Sequence, residues 1–218
     1  SSPLFKCSLD NPTQYHQHLE GLKKCVEAAN LWQTDIIRAF TFWHQEGAEL
    51  EAIGEKFQKA IEIARDGGVT LVIESEPSVN TRNTKQLVEF LQLLHSPYVA
   101  ALWDPGNEIA DPMAPPPYPD GYALLKPYIR HVHSKDIKAK PTGTFYEPAL
   151  MGRGDVDFHG VFKQLRQDDY RGYVSVETHY RIQQEQLEDA LLVRPQGSSF
   201  SEGGYEASVA YLNILKDE

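Results

Sequence analysis

Residues 129–136 read IRHVHSKD, and the character of the chain changes midway through them. Ile129 and Val132 suit the body of a buried strand, whereas His131, His133, Lys135 and Asp136 gather polar groups at its end. Residues two apart on a strand share a face, so His131, His133 and Lys135 lie on one side. A strand with an apolar body and an ionisable end reads as one wall of a site. The question is whether neighbouring strands end in the same way.

They do. VTLVIE ends on Glu74, YVAALWD on Asp104, IRHVH on His133 and YVSVE on Glu177. Between these runs lie segments with apolar residues at helical spacing, which is the βαβα signature of a parallel sheet. Asn11-Pro12 supplies an N-cap and a residue favoured at the first helical position, and Leu19, Leu22, Val26 and Ala29 follow on one face. TDIIRAF reads as a strand. A second helix carries Leu50, Ile53, Phe57, Ala60, Ile61 and Ala64 and closes at Gly67-Gly68. The segments TKQLVEFLQLLH, HGVFKQLRQDD and EASVAYLNILKDE are further helices, with a Pro-rich loop and a short helix near GYALLKPY. PALMGRGDVDF reads as a short fifth strand before YVSVE, giving six strands.

Strict alternation fits a doubly wound sheet or a (β/α)₈ barrel. No GxGxxG or Walker-type loop follows an early strand, which lowers the case for a nucleotide-binding doubly wound fold. Ionisable residues at four equivalent strand ends favour the barrel, because its strand C-termini converge on one mouth. The expected fold class is α/β, a TIM barrel with about six βα units, and residues 1–218 are expected to form one partial domain.

Composition narrows the possible partners. Thirty-one acids against 21 bases give a formal net charge of −10, and no basic stripe suits a phosphate backbone. Nucleic acid is not expected as a partner. Cys7 and Cys25 are too few for a disulfide framework and read as reduced thiols. No apolar run approaches the roughly 18–20 residues of a membrane span, and SSPLFKCSLD lacks the regions of a signal peptide. The expectation is a cytoplasmic protein with no membrane partner; a homo-oligomer is compatible with the sequence.

A lone carboxylate after a strand is more often solvated or a helix cap than a ligand. Glu76 is expected to face solvent and His131 to play a supporting part. Trp43 and Trp103 are read either as pocket walls or as plain core. Four potential ligands at equivalent strand ends are harder to dismiss. Glu74, Asp104, His133 and Glu177 offer mostly oxygen with one imidazole, which suits one divalent ion: Mn²⁺ in first place, then Mg²⁺, Co²⁺ or Zn²⁺.

Taken in order, IESEP, LWDPGN, HVHSKD, GRGDVDF and VSVET resemble the metal-binding strands of the sugar phosphate isomerase/epimerase family, a group of xylose isomerase-like barrels. The resemblance implies that Glu74, Asp104, His133 and Glu177 hold one divalent metal and that Glu74 and Glu177 serve as catalytic acid and base. Arg38, Asn107, Lys135 and Arg153 are the expected substrate-binding residues. SSPLFK looks like the exit of the family's second strand, so the first two strands of the barrel are expected to be missing from this chain. The implied activity is metal-dependent isomerisation or epimerisation of a ketose or related polyol, by proton transfer through an enediolate. Three alternatives stand beside it. They are an inosose-type dehydratase using the same site, a metal-dependent endonuclease of abasic DNA from the same superfamily, and a truncated homologue without catalysis.

Overall fold

The computed structural model describes residues 3–140, 146–177, 179–180 and 198–217. Five strands form one sheet in the order β1 (Ile36–Ala39), β2 (Thr70–Glu74), β3 (Val99–Trp103), β4 (Ile129–Ser134) and β7 (Tyr173–Val176). Two short strands, β5 (Ile137–Ala139) and β6 (Tyr146–Pro148), pair antiparallel with each other instead. Contacts divide the chain into two compact units: Ser1–Trp103 with Leu124–His131, and Asp104–Ala123 with Val132–Glu218.

In the first unit, helices α1 (Pro12–Trp32), α2 (Leu50–Gly67) and α3 (Thr84–Leu94) alternate with the strands. The Asn11 side chain accepts a hydrogen bond from the Gln14 amide at 3.0 Å, as the Asn-Pro signal implies. Leu19, Leu22, Val26 and Ala29 form the buried face of α1. Gly68 closes α2 in the left-handed conformation at φ 67°, where a side chain would be strained. A Cβ on the preceding Gly67 would lie 2.3 Å from a Val26 methyl carbon, so this glycine sets how closely α2 approaches α1. Phe57 anchors the core, with ring centroids 5.2 Å from Phe5, 5.9 Å from Phe42 and 5.3 Å from Phe90. Large buried aromatics of this kind dominate core energetics.

Strands β1, β2 and β3 run parallel, in a register that sets Arg38 beside Val72 and Glu74 beside Leu102. Val72, Ala100 and Leu102 cluster on one face, with Ile36 packed against them. Two residues beyond Ile36 stands Arg38, and two beyond Val72 stands Glu74, so the apolar face ends in ionisable groups as parity requires. Leu4 makes an isolated parallel bridge to Ala39, and Phe40 donates its amide to the Leu4 carbonyl at 2.9 Å. That contact agrees with SSPLFK reading as a strand exit beside β1.

The second unit holds α4 (Pro105–Ala110), α6 (Phe158–Gln167) and α7 (Ser198–Asp217), while the unit boundary falls within the short α5 (Tyr122–Leu125). Helix α4 lies within the stretch expected to be a Pro-rich loop. Phe162 on α6 meets the Tyr211 ring of α7 edge-on, with centroids 5.5 Å apart. The strand expected within PALMGRGDVDF is absent from the five-stranded sheet. Its first residue, Pro148, ends the β5–β6 hairpin, and residues 149–157 form turns. The cause is the buried Asp136 carboxylate, which accepts the backbone amides of Gly152 at 2.8 Å and Gly154 at 2.9 Å. Those amides are therefore taken by a side chain, and Gly152 adopts φ 79°, outside any strand geometry. Among the described residues, no helix is long and apolar enough to cross a membrane.

Candidate metal centre

Asp104 follows β3 directly and caps α4. Its Oδ1 accepts the Gly106 amide at 2.9 Å, while Oδ2 faces the Lys135 ammonium at 2.7 Å. The tight turn requires a glycine, because a Cβ on Gly106 would lie 2.5 Å from the Lys135 carbonyl oxygen. DPGN thus fixes both the carboxylate and the Asn107 amide, whose Oδ1 accepts from Lys135 Nζ at 2.8 Å. His133 is the fifth residue of β4, and its Nδ1 lies 3.5 Å from Glu177 Oε2 and 3.9 Å from Asp104 Oδ2. Glu177 follows β7 and donates its own amide to the Ser134 carbonyl at 3.1 Å, which ties β7 to β4 at the site. Its Oε2 accepts from Lys135 Nζ at 3.1 Å.

All of these groups sit in the second unit, and Asp104 is wholly buried. Burying charges costs several kcal/mol per ion unless geometry and hydrogen bonds compensate. One ammonium, shared by two carboxylates and an amide oxygen, supplies part of that compensation. Burial by itself would raise the Glu177 carboxyl. The Lys135 charge, and after it the His133 hydrogen bond and charge, instead pull it far below the usual carboxylate range. Glu177 is therefore ionised at neutral pH and able to hold a cation.

In the first unit, Glu74 is the last residue of β2 and is 2% exposed. Its Oε2 accepts from Arg38 Nη1 on β1 at 3.0 Å. One ligand atom from each of Glu74, Asp104, His133 and Glu177 lies within 4.8 Å of the others. Three carboxylates and one imidazole suit a hard or borderline divalent cation. The position of Lys135 agrees with that reading, since it brings positive charge against two of the same carboxylates.

The other expected site residues separate into two groups. Arg38 bonds Glu74, Lys135 bonds Asp104 and Glu177, and Asn107 accepts from Lys135. Arg153 instead stands exposed on the turn after Met151 and makes no ion pair among the described residues. Trp103 is fully buried, which makes it core, whereas Trp43 is 43% exposed. Glu76, expected only to face solvent, is 19% exposed and bonds Lys6 Nζ at 2.6 Å. Sequence reasoning missed Asp136 as the clamp of the 149–157 turns. The Gly-x-Gly spacing at 152–154 was the available signal.

Three comparisons bear on these features. The inosose dehydratase of Clostridium perfringens (strain 13 / Type A) is 27% identical over 148 residues, covering 59% of this chain and 47% of that protein. The chain thus spans about half the length of the inosose dehydratases it matches. A xylose isomerase domain protein from Planctomyces limnophilus superposes with a TM-score of 0.73 at 17% identity, over 98% of this chain and 70% of that one. A xylose isomerase-like TIM barrel protein from Mycobacterium smegmatis, solved in complex with magnesium, superposes with a TM-score of 0.68 at 16% identity, over 97% and 71%. A D-tagatose 3-epimerase-like protein gives 0.72 at 16%, over 99% and 75%. At these identities the structural likenesses establish the fold. A family profile described as xylose isomerase-like TIM barrel matches residues 2–197, and the chain, with five parallel strands of an incomplete barrel, belongs to that family.

Proposed function

We propose that the chain binds one divalent ion through Glu74, Asp104, His133 and Glu177 and moves a proton at the carbon next to the carbonyl of a sugar or polyol ketone. The observation that carries this reading is the convergence of the four ligand atoms within 4.8 Å, in a chain of this family. A bound divalent ion supplies Lewis acidity, which polarises a carbonyl and acidifies its neighbouring C–H. Mn²⁺ is our first choice and Mg²⁺ the second. The reading takes residues 1–218 as one partial barrel domain, cytoplasmic, with a small-molecule substrate and no nucleic-acid or membrane partner.

The residues of the chain divide the remaining work. Glu177, held ionised by Lys135 and His133, is a base for the C–H proton. Arg38 fixes the Glu74 carboxylate, the second acid–base group, through the 3.0 Å contact. Asn107 orients the Lys135 ammonium, and Arg153 is available to a substrate oxygen from the surface. If a proton is then delivered to the opposite face or to the neighbouring carbon, the outcome is epimerisation or isomerisation. If a hydroxyl β to the carbonyl leaves, the outcome is dehydration.

Dehydration is favoured by two observations. The sequence relatives are inosose dehydratases, and Lys135 sits beside Glu177 as a proton donor. In that step Glu177 accepts the C–H proton, the C–O bond of the β-hydroxyl breaks, and Lys135 protonates the departing oxygen to water. The organic product is an enol that tautomerises to a dione. Epimerisation is supported by the D-tagatose 3-epimerase-like neighbour, and it needs no such donor.

Elemental analysis of the purified protein, followed by incubation with inososes and ketoses in D₂O under NMR, tests the proposal. One bound divalent ion and a new dione support the dehydratase. Deuterium entering at C1 or C3 without dehydration supports the isomerase or epimerase. Glu177→Gln and His133→Ala proteins that fold and bind metal as tightly as the parent would refute the ligand assignment, since even groups behind the ligands are worth about 10–100-fold in affinity.

A further inference from the structure

A second constellation of charged and aromatic side chains, entirely within the first unit, adjoins Glu74 and extends away from it. The Lys6 ammonium lies 4.2 Å from the centroid of the Phe40 ring and 5.5 Å from that of Trp43. It bonds Glu76 Oε2 at 2.6 Å, and both side chains are about four-fifths buried, at 21% and 19% exposure. The Ser78 hydroxyl bonds the other oxygen of Glu76. Arg38 completes the row, its guanidinium carbon 5.0 Å from the Phe40 centroid while the group bonds Glu74. From Glu74 the row therefore runs Arg38, Phe40, Lys6, Glu76, with Trp43 standing half open beside Lys6.

The backbone explains how five distant residues meet. Lys6 lies two residues past Leu4, which bridges Ala39, and Phe40 follows Ala39 at the end of β1. The Trp43 amide donates to the Cys7 carbonyl at 3.0 Å. Glu76 lies two residues beyond Glu74, on the same parity at the end of β2. The row thus occupies the strand ends that also carry Glu74.

We propose that Lys6, Glu76 and Trp43 form a subsite for adjacent hydroxyl groups of a polyol, away from the reacting carbonyl. An ammonium and a carboxylate held side by side offer a donor and an acceptor at the separation of two neighbouring hydroxyls, the pairing a vicinal diol needs. An exposed indole beside them offers a flat apolar face to the C–H groups of the same ring. Hydrogen bonds from charged groups in a half-buried setting are stronger than those exposed to bulk water, and cation–aromatic contacts hold the Lys6 ammonium in place without consuming its donors. The inference rests on the polyol reading of the metal centre and deepens it, by assigning the part of the substrate that does not react.

The experiment is binding of myo-inositol, a polyol without a carbonyl, to the full chain, followed by saturation-transfer NMR and calorimetry. The parent is expected to bind it, and Lys6→Met and Glu76→Gln to weaken binding by about tenfold or more, from the loss of a hydrogen bond to a charged group. Lys6→Arg should restore most of the affinity. Divalent-metal affinity should stay within about twofold of the parent in all three. A folded Lys6→Met protein that binds myo-inositol like the parent, or a parent that does not bind it, overturns the subsite. A parent that binds it through Lys6 but turns over no polyol ketone would refute the proposed reaction and leave the subsite standing.

Discussion

The two units solve the problem of charge at a strand end in different ways. In the first, each carboxylate has its own cation laid against a ring: Arg38 with Glu74 over Phe40, and Lys6 with Glu76 over Phe40 and Trp43. In the second, a single ammonium, Lys135, faces both Asp104 and Glu177, with His133 between them at 3.9 and 3.5 Å. One-to-one pairs give each carboxylate its own counter-charge, Arg38 for Glu74 and Lys6 for Glu76. In the second unit two carboxylates share one lysine, with the His133 imidazole beside them, so neither has a cation of its own. The comparison teaches that the same residue types at strand ends can be partnered one to one, as in the first unit, or share a single cation, as in the second.

Removing the shared cation is the strongest way to break that contrast. Lys135→Met should destabilise the metal-free protein by about 3–5 kcal/mol, the usual cost of leaving a buried charge without its partner. Added Mn²⁺ or Mg²⁺ should recover much of that loss, because the metal replaces the missing positive charge. Thermal melts with chelator and with metal decide it. An unchanged chelated melting temperature would show that Lys135 balances nothing.

Thiol reactivity tests how dry the first unit is beneath its paired strand ends. Burial pushes the Cys7 thiol up to about 11 from 9.0, and the Lys56 charge offsets only part of this. At pH 8 the shift leaves about a hundredfold less thiolate than an unperturbed cysteine, at about 1.4 kcal/mol per pH unit. Iodoacetamide should therefore label Cys25 first, with Cys7 labelling rising steeply as the pH approaches 11. Equal rates at pH 8 would mean that the core around Phe5 and Phe42 opens to solvent.

Asp136 offers a smaller test, in the second unit. Asp136→Ala should cost about 1–3 kcal/mol by leaving the amides of Gly152 and Gly154 without their acceptor. Burial raises the Asp136 carboxyl, and the amides of Gly154, Val156 and Gly152 oppose that only in part. A raised folded-state value means that the folded protein binds this proton more tightly than the unfolded chain. The Asp136 contribution to stability should accordingly decline as the pH rises from the ordinary carboxylate value of about 3.9 to the raised one. Melting temperatures of parent and Asp136→Asn across pH 3.5–7 measure the difference, and a gap that widens in favour of the parent over that window would contradict the sign. Least of all, the exposed pair Lys59–Glu62 on α2 should be nearly silent: Lys59→Ala should leave the melting temperature essentially unchanged.

Much of this protein was settled by local sequence. Alternating periodicities, the Asn11-Pro12 cap and the Gly67-Gly68 stop are short-range features, and the first three helices and the strands between them fall where these features imply. The candidate cluster was legible for the same reason: period-two parity on a strand tells which residue shares a face with the apolar body, and Glu74, Asp104, His133 and Glu177 each sit at or near a strand end. What the sequence could not supply was anything that depends on which distant atoms meet. PALMGRGDVDF has the apolar content of a strand, yet the Asp136 carboxylate takes the amides a sheet would need and turns the segment into a loop. Glu76 looks solvent-facing until Lys6, 70 residues away, is brought against it. Lys135 has the same local look as any lysine after a strand, and only the tertiary structure sets it between Asp104 and Glu177. Periodicity is a property of one segment, whereas the partner of a buried charge is chosen by packing across many, because only there is the cost of desolvation met or left unmet.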